Sequence, residues 1–407
     1  MSIATMLSCC QGLAVVDKKV STVRLIHFTL QEYLKAQPEL FGTAHATMAE
    51  TCLSYLNSQQ VKSALAIPIP GIYNPPFLQY SALYWGVHAK RDLSHCAKLL
   101  ALNLFDDHSN HIPTKTLLWA QRNIPYPTGS DSIFLFGGLH YASVVGIDGI
   151  VADLVEVEGC DINQIDCVGN TPLVWAARNG HVGVVKILLG RGGLNPNQPG
   201  CYDQTPLWCA AQNGHERVVR VLLGRGDVNP NRPGRYDRTP LWCAAQNGHQ
   251  GVVKILLERD DINPNEPDWY KETPLVCAAR NGHEGAVRVL LGRGDANPNK
   301  PDCYDRTPLS WAAQNGHEGV VKIILGRDDV NPDEPMSNGQ TPLSHAAERG
   351  HEGVVKMLLG RGDVNPNKPG CHDRTPLWCA ACNGHEGVVK MLLGRDDINP
   401  DEPDNHG

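Results

Sequence analysis

No apolar run in this 407-residue chain approaches the roughly 20 residues needed to span a bilayer. The N-terminus, MSIATMLSCCQGLAVVDKKV, places its lysines after the apolar stretch, the reverse of a secretory signal. A cytoplasmic location follows as the default, with the nucleus left open. Catalytic signatures are missing too: there is no G-x-S-x-G elbow, no H-E-x-x-H helix, no G-x-x-x-x-G-K-[ST] phosphate loop and no Rossmann glycine pattern. Excess positive charge is lacking. The 36 basic and 43 acidic side chains leave a formal charge of −7, which argues against a nucleic-acid footprint. These absences predict a non-enzyme with no cofactor, no metal, no small-molecule substrate and no nucleic-acid or membrane partner.

What the chain does have is a beat. Thr-Pro-Leu returns at Thr171, Thr205, Thr239, Thr273, Thr307, Thr341 and Thr375, always 34 residues apart. A fixed period of that length marks an array of small units rather than one globular core. In the unit from Thr205 to Arg238, Thr205 offers an oxygen to the orphan amides of a helix start, and Pro206 suits the first helical position, which needs no amide hydrogen. Leu207, Ala210 and Ala211 form one apolar stripe, with alanines small enough to admit a second helix closely. Gly214 ends this helix. Val218, Val219, Leu222 and Leu223 make the buried stripe of a second, and Gly224 and Gly226 are expected to supply permissive backbone where it stops. NPNRPGRYDR is a turn-rich connector. One such pair is too short to bury its own stripe, so the units gain stability by stacking.

The recurring TPL, AA, GH, VV, LL and N pattern resembles the ankyrin repeat in all seven units. The resemblance implies a mainly α solenoid of helix, turn, helix and an outward loop or hairpin. Two departures stand out: Trp, Val or Ser replaces the family's His after TPL, and the period exceeds the common 33 residues by one. One period before Thr171 lies Gly137, opening GGLHYASVVGIDGIVADLVEVEGCDIN, a degenerate first repeat that keeps Leu139, His140 and Ala142 but lacks the Thr-Pro start. A capping role would explain its divergence. At the other end the next Thr-Pro-Leu falls past Gly407 and Thr375 to Leu393 looks like an interior copy, which predicts a truncated array and fraying there.

Several apparent motifs dissolve into the period. Cys209, Cys243, Cys277 and Cys379 share one helix position, where stacked helices stand roughly 8 to 10 Å apart, too far for disulfides. The Cys379-x-x-Cys382 pair lacks a βαβ setting and reads as structural. One His per unit, from His181 to His385, cannot converge on a metal; in ankyrin-like units this residue is a structural hydrogen-bonding group. Arg-Gly-Asp at Arg225 to Asp227, Arg293 to Asp295 and Arg361 to Asp363 follows the end of a second helix each time, so helix termination rather than cell adhesion explains it.

The first 130 or so residues carry no such period. GLAVVD and STVRLIHFT read as strands around Asp17 to Lys19, Thr29 to Ala36 as a helix, and AHATMAETCLSYLNS and YSALYWGVHAKRDLSHCAKLLAL as further helices. The run VRLIHFTLQEYL resembles the segment closing the winged-helix region of NACHT-type STAND ATPases, NLR-like receptors, most closely fungal members that carry ankyrin arrays. That resemblance implies a winged-helix-like segment, with His27 matching a histidine that can contact a bound nucleotide's phosphate. A nucleotide-sensing His27 would need a NACHT domain that this chain does not contain. The expected divisions are a winged-helix-like segment at 1–40, a helical linker domain at 41–130, the degenerate repeat at 131–170 and seven repeats at 171–407, the last uncapped.

A solenoid holds its shape while selected side chains vary, and the varying columns mark a binding face for a protein partner. One column follows the Ala-Ala pair at Arg178, Gln212, Gln246, Arg280, Gln314, Glu348 and Cys382, expected on the exposed end of the first helix. The other lies in the connectors, at Tyr202, Tyr236, Tyr270 and Tyr304, with Arg235 and Trp269 beside two of them. Tyr, Trp and Arg are the usual interface anchors; the plainer reading is that these tyrosines pack on the neighbouring connector. The leading expectation is a non-catalytic protein-binding scaffold. Its rival is the ligand-sensing C-terminal part of an NLR-like receptor.

Overall fold

The computed structural model describes residues 14–17, 22–25, 44–58, 61, 76–106 and 137–400. Residues 1–122 and 123–407 form two compact units. In the first, β1 (Ala14–Asp17) pairs antiparallel with β2 (Thr22–Leu25), Ala14 opposite Leu25 and Asp17 opposite Thr22. Helix α1 (Ala44–Leu56) packs on α2 (Pro76–Arg91) and α3 (His95–Asp106), burying Ala49, Cys52, Leu53, Trp85, Ala97 and Ala101. The two strands and these helices stand where the sequence predicts them. His27 and the helix expected over Thr29 to Ala36 lie outside the described residues.

Among its described residues, the second unit stacks eight helix pairs. The first helices are α4 (Gly138–Val145), α6 (Pro172–Arg178), α8 (Pro206–Gln212), α10 (Pro240–Gln246), α12 (Pro274–Arg280), α14 (Pro308–Gln314), α16 (Pro342–Arg349) and α18 (Pro376–Cys382). Their partners are α5 (Asp148–Leu154), α7 (Val182–Leu189), α9 (Glu216–Leu223), α11 (Gln250–Leu257), α13 (Glu284–Leu291), α15 (Glu318–Leu325), α17 (Glu352–Leu359) and α19 (Glu386–Leu393). Between adjacent units, first helices pack on first helices and second on second. At all seven Thr-Pro starts the Thr hydroxyl accepts the amide three residues on, as Thr205 does from Trp208 at 3.1 Å. Such a cap contributes about 1 kcal/mol per helix. Gly137, the start of the degenerate repeat, makes no such side-chain cap.

Gly214 closes α8 with φ +74°, while the Gly214 and His215 amides return to Ala211 and Ala210. The second helix ends differently from the expectation. Gly224 stays right-handed at φ −67°, and Glu258 fills the same position at φ −65°, so no glycine conformation is needed there.

The core is a column of small and flat side chains: Val174, Trp208, Cys209, Trp242, Cys243 and Cys277 form one buried cluster. Cys209, Cys243, Cys277 and Cys379 are buried and joined in no disulfide, and burial raises the first three thiols, well above the ordinary thiol value at Cys243 and Cys277. The replacement of His by Trp after Leu also has a reason. His140 of the first repeat bonds the Gln164 carbonyl at 2.9 Å, and Trp208 and Trp242 likewise donate Nε1–H to the Arg238 and Glu272 carbonyls at 2.8 and 3.0 Å. Indole keeps the donor to the next connector and adds apolar area. In the last unit Ala381 is exposed, whereas its counterparts from Ala177 to Ala347 are buried.

Candidate interaction surface

Three ladders hold the connectors in place. At the head of the connectors from Arg225 onward an arginine grips an aspartate two residues on and reaches back to the preceding unit: Arg225 binds Asp227 through two bonds of 2.8 and 2.5 Å and the Leu189 carbonyl at 2.6 Å. Arg259, Arg293, Arg327, Arg361 and Arg395 repeat the grip, and the arginine holds each partner carboxyl below its ordinary range. The Arg-Gly-Asp tripeptides thus have their two charged ends paired with each other at the surface, and Arg-Asp-Asp repeats do the same. The second ladder runs through the Asn-Pro-Asn step, where Asn197 donates Nδ2–H to the Asp227 carbonyl at 2.6 Å and accepts the Asn229 amide at 2.7 Å.

The third ladder is the histidine row. Each Gly-His imidazole donates Nε2–H to a carbonyl at the end of the preceding first helix: His181 to Val144, His215 to Arg178, His249 to Gln212, His283 to Gln246, His317 to Arg280, His351 to Gln314 and His385 to Glu348, all at 2.8 to 3.0 Å. The constant histidines therefore pin the backbone of the variable column. Their structural role is as the sequence indicates, and among the described residues no three metal-ligating side chains converge.

The variable column is less open than expected. Gln212 and Cys382 are exposed, but Arg178, Gln246, Arg280, Gln314 and Glu348 are half-buried. Arg178 donates to Gln204 at 2.8 Å and lies over Trp175; Arg280 pairs with Glu272 and lies over Trp311; Glu348 accepts from Gln340 at 3.0 Å. Because connector ends lie beside the first helix, that of the following connector at Gln204 and of the preceding one at Glu272 and Gln340, these long side chains fold onto them instead of facing solvent. Burial raises the Glu272 carboxyl, and Arg280 opposes that rise.

The connector tips, by contrast, present their aromatic side chains. Trp269 is 72% exposed, Tyr304 58%, Tyr202 49%, Tyr270 48% and Tyr236 38%. They still touch: Arg235 lies 4.8 Å over the Tyr202 ring and 4.5 Å over Tyr236, and the Tyr236 and Tyr270 rings stand 6.4 Å apart. Backbone bonds run from tip to tip, from Trp269 to the Tyr236 carbonyl at 2.9 Å, from Cys303 to Tyr270 at 3.0 Å and from Ser337 to Tyr304 at 3.3 Å. Packing on the neighbouring connector and exposure thus coexist. Arg238 and Arg306, which the column reading missed, stack at 4.0 and 3.8 Å on Trp242 and Trp311 and also cover Tyr236 and Tyr304. Their signal is recurrence in the position before Thr-Pro-Leu.

Two kinds of tip backbone occur. Asp268 and Asp302 brace the turn, Oδ1 of Asp268 accepting from Tyr270 and Glu272 and that of Asp302 from Tyr304 and Arg306. With Gly200, Gly234 or Gly370 at that place, two consecutive residues turn left-handed: Tyr202 and Asp203, Tyr236 and Asp237, His372 and Asp373. Left-handed backbone costs a non-glycine residue about 1 to 2 kcal/mol. Arg235 of the next tip lies over Tyr202, and the Trp269 amide of the next tip holds the Tyr236 carbonyl.

A family model described as ankyrin repeats (3 copies) matches residues 139–233, 195–268, 227–302, 261–333 and 309–404. A search of curated proteins returns no match. Among solved structures, the crystal structure of the human ASB11 ankyrin repeat domain is similar, at 26% identity and TM-score 0.49, covering 56% of this chain and 98% of that one.

Proposed function

Because the chain belongs to the ankyrin-repeat family, whose repeats are in general protein–protein interaction modules, we propose that it is a non-catalytic scaffold gripping a protein partner along its connector tips. The observation that carries this reading is the row Tyr202, Arg235, Tyr236, Trp269, Tyr270 and Tyr304, exposed yet locked to one another. Rigid aromatic and arginine side chains lose little entropy on binding and dominate interface energetics. Gln212, free at the end of α8, and the flanks Arg178, Gln246, Arg280 and Gln314 form the second border of the surface. No described helix is long and apolar enough to cross a membrane.

A second reading makes the array the ligand-sensing part of a NACHT-type receptor. The antiparallel pair Ala14–Asp17 and Thr22–Leu25 supports it, being the hairpin that a wing requires. In this reading His27 senses the nucleotide of a separate domain.

The test is site-specific photocrosslinking. A photoreactive residue at Trp269 should capture one protein in cell extract, while one at Lys254, exposed on the second helix, should not. Replacing Tyr236 and Tyr270 by Ala should abolish the Trp269 product without lowering thermal stability. Equal capture at both positions would refute a tip-centred surface.

A further inference from the structure

The Asn-Pro-Asn ladder is broken at one place. Asn163, Asn197, Asn231, Asn265, Asn299 and Asn367 each donate Nδ2–H to the carbonyl 30 residues on, at 2.6 to 2.8 Å. The same column holds Asp333, whose Oδ2 accepts the Asn365 amide at 2.7 Å as its counterparts' Oδ1 atoms do. Its other oxygen, Oδ1, is buried without a hydrogen-bond partner. That atom takes the place of the amide nitrogen that would donate to Asp363, so a carboxylate there sets oxygen against oxygen.

We propose that Asp333 binds a proton and donates it to the Asp363 carbonyl, making the joint between the Thr307 and Thr341 units tight in acid and loose at neutral pH. The groups around the carboxyl fit this. Asp363 across the joint has its own charge held by Arg361. Lys368 spends its ammonium on the Asp333 main-chain carbonyl at 2.7 Å, and Asn331, which caps the Asp333 amide, turns its side chain to Glu334. Burial pushes the Asp333 carboxyl up; the Asn365 amide and Lys368 pull against it, and Asp363 adds to the rise. A group that binds its proton more tightly in the folded state stabilises that state at low pH and loses the contribution as pH rises through its folded pKa.

Hydrogen exchange tests this, read on the amides of Glu352–Leu359 against those of Gln250–Leu257. At pH 7 Asp333→Asn, which restores the ladder, should slow exchange in the former by about tenfold, the size of one hydrogen bond recovered plus a buried charge relieved. The difference from the native chain should shrink toward pH 4. Asn299→Asp should create the same pH-dependent weakness one unit earlier. A difference of constant size across pH, no difference at all, or an Asn299→Asp joint insensitive to pH would each overturn the proposal.

Discussion

Gly214 and His249 share one space across two units: a Cβ on Gly214 would lie 2.7 Å from Nδ1 of the His249 ring, whose Nε2 is bonded to the Gln212 carbonyl. The left-handed backbone at Gly214 and the seat for the next histidine are thus one requirement. Gly384 has φ +72° but nothing within 4 Å of an added Cβ. Gly384→Ala should therefore cost only the backbone penalty, about 1 kcal/mol, and Gly214→Ala about 2 to 3 kcal/mol. Urea unfolding midpoints separate the two, and equal losses would remove the steric argument.

Lys271 lies at φ +59° in the column where Gly169 and Gly339 stand in other units. Lys271→Gly should stabilise the protein by roughly 0.5 to 1 kcal/mol, because the strain relieved exceeds the entropy gained by the unfolded chain. A lowered melting temperature would mean that the exposed Lys271 makes a contact worth more than its strain.

Trp242 donates Nε1–H to the buried Glu272 carbonyl. Trp242→Phe keeps a ring but loses that bond and leaves the carbonyl to the Asp268 amide alone, so it should cost about 1 kcal/mol beyond shrinkage. Chemical denaturation measures it.

The Arg–Asp grips make the array sensitive to acid. The Asp295 carboxyl is held down chiefly by its hydrogen bonds to Arg293. A depressed carboxylate contributes stability above its unfolded pKa and loses it as pH falls through the folded value. Asp295→Asn should thus be less stable than the native chain at pH 6 and equal to it near pH 2, in thermal scans across that range. A gap that persists in acid would assign the loss to packing. Raised salt should narrow the gap at pH 6, since the pair is exposed.

Much of this architecture can be read from the chain. The Thr-Pro start, the Ala-Ala stripe and the Gly-His step each carry their mechanics locally, so helix positions, caps and the structural role of the histidines follow from single units. The connector column of tyrosines is legible for the same reason. What escapes is the placement of side chains set by what the fold brings beside them. Arg178 and Arg280 read as surface residues until a connector end lies beside them, Arg238 reads as a charge until Trp242 lies beneath it, and Gly224 reads as a conformational need although Glu258 does as well. Asp333 differs from Asn by one atom in sequence, and only the carbonyl it faces gives that atom consequence.

The arginine hooks span 36 residues, the histidine bonds 37 and the asparagine bonds 30, each joining a unit to the one beside it. No bond of these three kinds straddles two joints. Under tension applied at its ends, the array should lengthen in steps, shedding one helix pair at a time and regaining it when the load falls. Its force trace would be a saw-tooth with teeth of one length, the lowest at the joint where an aspartate replaces an asparagine.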